Sequence, residues 1–146
     1  MQYKRFENTV VLRLDPNEEV LEQLAALAMA EHIRLAEVSG LGALKELHIC
    51  LFDPATKQFC NNVYEELLEL LSLTGTVTKQ NGGPYLHIHA SAANARGNVY
   101  GGHLKRAVIS ATGEIIIRII DGVVGRVYNE EIGLNLFHFE DSPSAF

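Results

Sequence analysis

"PYLHIHASAANARGNVYGGHL", residues 84–104, reads as strand, loop and strand, and it carries three of the six histidines in the chain. Over 85–91, strand alternation sets Leu86, Ile88 and Ala90 on one face and Tyr85, His87, His89 and Ser91 on the other. His87 and His89 then stand side by side, about 6.6 Å apart along the strand. Imidazoles rooted at that spacing can lean inward until both reach one metal ion at about 2.0–2.1 Å. The loop ANARGN turns the chain back and makes His103 the candidate third ligand. Gly101 and Gly102 are expected to bend or bulge the backbone there and re-aim the His103 side chain. Three imidazoles with an open fourth position form the ligand set of catalytic or exchangeable zinc sites, whereas closed structural sites usually contain thiolates. The plainer alternatives are a half-exposed polar strand face, or histidines that pack at an interface without metal.

Outward from this stretch, the chain reads as one helix followed by many short strands. FENTVVLRL (6–14) is rich in β-branched and apolar residues and predicts a first strand. Asp15 is a good helix N-cap and Pro16 suits the first helical position. Val20, Leu21, Leu24, Leu27 and Ala28 then recur at helical spacing, which predicts an amphipathic helix over 16 to about 32. His32, at its end, is expected to interact with the terminal carbonyls. Further strands are predicted at 35–38, 43–52, 65–73, 84–91, 98–101, 104–111 and 114–121, and near 134–139. Turn signals separate them at SGLGA, DPATKQ, TGT, QNGGP, NARGN, ATGE and IDGVVG. One early helix on a mostly antiparallel sheet is an α+β pattern. A single domain is expected over 1–140, with a loose tail at 141–146.

Composition narrows the chemistry. The 146 residues are 47% hydrophobic and 21% charged, enough to build one buried core. Cys50 and Cys60, with nine residues between them, match no zinc or redox spacing and read as reduced thiols. No window reaches the roughly 18 apolar residues of a membrane span, and MQYKRFENTV has no signal-peptide h-region, so no membrane partner and a cytoplasmic location are expected. Twelve Lys and Arg against eighteen Asp and Glu give a formal charge of −6, which disfavours DNA as a partner. No basic run exceeds two residues, although Lys4, Arg5, Arg34, Lys45, Lys105, Arg106, Arg118 and Arg126 could gather on one face. SGLGAL (39–44) lacks the Gly-x-Gly-x-x-Gly spacing and predicts a tight turn, not a phosphate loop. Ser91, Ser110 and Cys60 have no base that spacing assigns to them. Glu65, Glu66 and Glu69 could serve the histidines as a base or supporting partner, and His48 and His138 are expected to have no role.

Arg34 with VSGLGAL (38–44), ELLSLTGT (69–76), GPYLHIHAS (83–91) and GNVYGGHL (97–104) occur in an order and spacing that resemble the plant and prokaryote conserved domain, PPC, over roughly 5–140. The resemblance implies an α+β fold assembling as a homotrimer. It also implies a metal, zinc first among the candidates, on His87, His89 and His103 close to a subunit interface. Plant members are DNA-associated through AT-hook motifs, and this sequence contains no AT-hook-like Arg-Gly-Arg segment. Two functions are weighed: the resemblance implies a DNA-binding or regulatory protein acting through a homotrimer with a three-histidine metal site, and the alternative is a zinc-dependent enzyme or small-ligand binder using the same histidines.

Overall fold

The computed structural model describes residues 1–139, so the tail expected at 141–146 lies outside the described residues. In chain order the elements are β1 (Gln2–Phe6), β2 (Thr9–Leu14), α1 (Val20–Ala30), β3 (Ala36–Asp53), β4 (Gln58–Tyr64), β5 (Leu68–Gln80), β6 (Gly83–Asn94), β7 (Val99–Ile119), β8 (Gly125–Asn129) and β9 (Leu134–His138). One helix on an all-antiparallel sheet is the α+β arrangement expected.

Seven strands form one sheet in the order β1-β2-β7-β6-β5-β3-β4, and β7 pairs with β3 as well, so β3, β5, β6 and β7 close into a ring. The remaining pair, β8 and β9, is a separate hairpin. Closure gives the four ring strands partners on both sides, which removes open edges along the paired lengths. The barrel interior is apolar. Val10, Leu12 and Leu14 alternate inward along β2, and Leu44, Leu47, Leu73, Ile88, Ile109, Ile115 and Ile117 fill the centre. Each such side chain contributes roughly 1.5–3 kcal/mol by leaving water.

Several predicted turns lie inside long strands. SGLGAL belongs to β3, ATGE to β7 and TGT to β5. A Cβ on Gly42 would collide with the Thr112 carbonyl on β7, and one on Gly75 with the His87 carbonyl on β6. These glycines let backbones approach closely; they do not reverse the chain. QNGGP is a true reversal: Asn81 and Gly82 both have positive φ, 50° and 82°, the signature of a two-residue hairpin turn whose twist matches its strands. Of the strand predicted over 6–14, Thr9–Leu14 is β2, while Phe6 ends β1 and the chain reverses at Glu7 and Asn8; both β4 and β8 fall where no strand was predicted.

The helix begins four residues later than Asp15-Pro16 suggests. Residues 17 and 18 are drawn into the sheet, where Asn17 N–H donates to the Ile109 carbonyl and Ile109 N–H to the Glu18 carbonyl. The cap is Glu19, whose carboxylate accepts from Glu22 N–H at 2.7 Å and from Ala107 N–H of β7 at 2.9 Å. One buried carboxylate thus starts the helix and ties it to the barrel. Val20, Leu24, Leu27 and Ala28 are the face that α1 buries. At the other end the His32 backbone, not its imidazole, meets the carbonyls. His32 has φ 53°, its N–H donates to Met29 O, and Ile33 N–H donates to Ala28 O, a Schellman closure.

Candidate metal centre in a cationic cavity

The pleat of β6 turns Tyr85, His87 and His89 to one face, as the alternation predicts. The Asn81–Gly82 turn fixes the β5–β6 register, setting Thr76 opposite His87 and Thr74 opposite His89. On the other side of β6, His89 pairs with His103 of β7. Residues directly opposite in antiparallel strands share a face, so all three imidazoles meet. Their ring centroids are 5.2, 5.2 and 5.4 Å apart, and one ligating nitrogen from each lies within 4.8 Å of the others.

The two glycines before His103 act differently from the expected bend. The β6–β7 register runs unbroken from His89–His103 through Ala90–Gly102 to Ala93–Val99. A Cβ on Gly102 would stand 2.9 Å from the Cys50 carbonyl, so this glycine lets β3 lie tight against β7 and places Cys50 opposite His103.

Burial pushes the His103 imidazole down to about 4, helped by the charge of Lys105 and by the neighbouring histidines. His87 is lowered as well, by burial first and then by the charges of Arg126 and His89. Both rings are therefore neutral near pH 7, with lone pairs free to ligate. Tetrahedral coordination at about 2.05 Å needs nitrogens roughly 3.3 Å apart. The observed spread is wider by an amount that small side-chain rotations close. The residues present fit a divalent metal such as zinc, with the three imidazoles as its holders.

The cluster lies in the wall of a cavity of about 770 Å³. Cys50, Phe52 and Phe59 from the β3–β4 hairpin form one side, and Arg126, Tyr128, Leu134, Leu136 and Phe137 from the β8–β9 hairpin form another. Lys105 also lines it, with its ammonium 4.5 Å from the centre of the Phe59 ring. Among the described residues, no Asp or Glu lines this cavity. Glu65, Glu66 and Glu69 do not line it. His48 and His138 also lie outside it; His48 Nε2 is 2.9 Å from Glu46 Oε1, without hydrogen-bonding geometry.

Sequence reasoning missed the β8–β9 wall and, with it, Arg126 as a site residue. The only signal for Arg126 was its place among the scattered cations. Tyr85 was legible as sharing the histidine face, though nothing local indicated what it touches.

Residues 1–121 match the Plants and Prokaryotes Conserved (PCC) domain, the family also written PPC. The chain belongs to this family. The PPC fold here superposes on a Bacteroides thetaiotaomicron protein provisionally described as DNA-binding, with a TM-score of 0.92 and 28% identity over 94% of this chain and 96% of that one. It also superposes on a metal-containing protein of Archaeoglobus fulgidus, with a TM-score of 0.84 and 28% identity over 94% and 97% of the two chains. Over 108 residues, 73% of the chain, it is 32% identical to the bifunctional protein GlmU of a Synechococcus strain, of which it spans 16%. No helix among the described residues is long and apolar enough to cross a membrane.

Proposed function

We propose that this PPC-domain protein holds a divalent metal, zinc by its donor set, on His87, His89 and His103, and that the metal faces a cavity for a small ligand. The observation that carries this is the convergence of three imidazoles, with ligating atoms within 4.8 Å, on the wall of a cavity of about 770 Å³. That volume falls in the range of small-molecule sites. The Archaeoglobus relative described as metal-containing supports the same reading. When bound, the metal supplies a Lewis-acidic position open to exchange. The chain's own part is to keep His87 and His103 unprotonated, to orient the rings through the β6–β7 register, and to wall the position with aromatic side chains. Binding of a small ligand at this position is the function proposed.

Elemental analysis of purified protein tests the metal. About one zinc per chain is expected, falling to background in His87→Ala and His103→Ala. Unchanged metal content in both variants overturns the assignment.

Assembly and nucleic acid form a second reading. A homotrimer is supported by the exposed edge strand β4, which carries Phe59 and Val63 at its surface, and by exposed Leu51, Leu67 and Leu71 nearby in the chain. Light scattering should give three times the 16.1 kDa chain mass. A DNA role rests on the description of the Bacteroides relative and works against a formal charge of −6. Retardation of duplex DNA that weakens steeply as salt rises is its signature.

A further inference from the structure

The cavity has a feature that the metal alone does not explain. In a chain with eighteen acids and twelve Lys and Arg, the described wall carries two cations, Arg126 and Lys105, and no acid. Arg126 is the more constrained of the two. Its guanidinium lies between the rings of Tyr85 and Phe137, with centroids 4.7 and 4.4 Å away. Its Nε–H donates to Thr78 Oγ1 at 3.1 Å, and one Nη1–H donates to the Asn135 carbonyl at 2.9 Å. The fully buried Thr78 hydroxyl donates in turn to the Tyr85 carbonyl, which leaves its lone pair toward Arg126. These contacts hold the guanidinium plane while supplying no negative charge.

Two deficits remain. Nη2 is buried without a hydrogen-bond partner, and no carboxylate lies within 4.0 Å of the guanidinium among the described residues. A half-buried cation lacking a counterion is costly unless something else compensates it. The sandwich between two rings recovers part of that cost, but it does not satisfy Nη2.

We infer that the cavity recognises a small organic carboxylate, with Arg126 as its counter-charge and the apolar wall receiving its hydrocarbon part. With Nε and Nη1 engaged and Nη2 enclosed, Arg126 attracts a carboxylate through its charge, not through a two-pronged contact. Phe52, Leu134 and Leu136 offer apolar surface that inorganic anions cannot use. Lys105 adds a second, less directional attraction on the His103 strand, where its charge is felt at the imidazole. The inference names the ligand class of the cavity proposed above. It rests on that reading only for the ligand's contact with metal, because the charge of Arg126 is present with or without it.

Calorimetry with butanoate, butanamide and inorganic phosphate, on zinc-loaded and metal-stripped protein, tests the inference. Butanoate should bind wild type at least tenfold more tightly than the isosteric neutral amide and more tightly than phosphate. Arg126→Gln should lose at least tenfold in butanoate affinity with its zinc content unchanged. Arg126→Lys, which keeps the charge, should recover part of the loss, and Lys105→Gln should show a smaller loss. These two variants keep the test decisive if Arg126→Gln does not fold. Equal binding of butanoate and butanamide, or wild-type affinity in Arg126→Gln, overturns the inference, as does tighter binding of phosphate. Failure of the metal reading is separate: it appears as absent zinc in wild type and leaves the comparison between wild type and Arg126→Gln in metal-stripped protein intact.

Discussion

His89 and His103 are cross-strand partners, one on β6 and one on β7, with ring centroids 5.4 Å apart and planes at 88°. Two ligands of the proposed centre are therefore joined by the hydrogen-bond ladder of the barrel itself, and metal occupancy should couple to barrel stability. Zinc at one hundred times its Kd should stabilise the fold by about 2.7 kcal/mol. Thermal unfolding with and without chelator should show the corresponding fall in Tm for wild type. In His89→Ala, chelator should leave Tm nearly unchanged.

Gly75 and Gly102 should each be intolerant of a methyl group. A Cβ at Gly102 meets the Cys50 carbonyl at 2.9 Å, and one at Gly75 would overlap the His87 carbonyl. Gly102→Ala should cost about 1–3 kcal/mol in urea unfolding, the usual range for overpacking, and Gly75→Ala more. Because both displace backbone next to a histidine ligand, zinc affinity should fall along with stability. Normal zinc binding by a destabilised Gly75→Ala would show that the β5–β6 contact does not position His87.

Glu19 should be worth more than an ordinary cap. Its two carboxylate oxygens accept separately from Glu22 N–H and Ala107 N–H, so Glu19→Ala removes a cap and orphans a strand amide. The expected loss is about 2–4 kcal/mol, and Glu19→Gln, with one acceptor left, should lose roughly half as much. Equilibrium unfolding of the two variants checks both the size and the order.

Metal-free protein should lose stability in mild acid. His103 has a folded pKa of about 4, below the ordinary value of 6.5, and His87 is lowered in the same direction. Between these values the unfolded chain binds more protons than the folded one, so stability rises with pH there. The contribution is complete above about pH 6.5 and is lost progressively as pH falls toward 4. The unfolding midpoint of stripped wild type should therefore fall between pH 6.5 and 5, and His103→Gln should fall less over that window. A flat wild-type profile there contradicts the burial described.

What the sequence revealed depended on how local each signal was. The shared face of His87 and His89 follows from a period of two, and the Asn81–Gly82 reversal from two adjacent residues, so both were legible. Gly42, Gly75 and Gly113 looked like turn residues because a glycine between strand-like runs usually marks one. Their actual surroundings are side-by-side strands: Gly42 meets Thr112 of β7 only when the ring shuts, Gly75 meets His87 of β6 across its own hairpin, and Gly113 meets Ile109 of its own strand and Leu14 of β2. The helix start was misplaced for a similar reason: Asp15-Pro16 is a sound local signal, overridden when Asn17 and Glu18 bond to Ile109. Arg126 could not be assigned because β8 shows no clear alternation, its pattern running from half-buried to exposed, and its partners Thr78, Tyr85 and Phe137 come from three other strands.

The Asn81–Gly82 turn has a reach well beyond its own two residues. His87 lies six positions past Asn81, about 20 Å along an extended strand, yet which way it points is decided at the turn, because sliding an antiparallel pair by one residue exchanges its faces. A chain lengthened there by a single residue would keep every imidazole, every core leucine and the same net charge. It would nonetheless tend to deliver Leu86 and Ile88 to the proposed metal position and send the histidines into the oil of the barrel. The proposed coordination of this protein is thus addressed by counting, and the count begins at a bend that touches none of the three histidines.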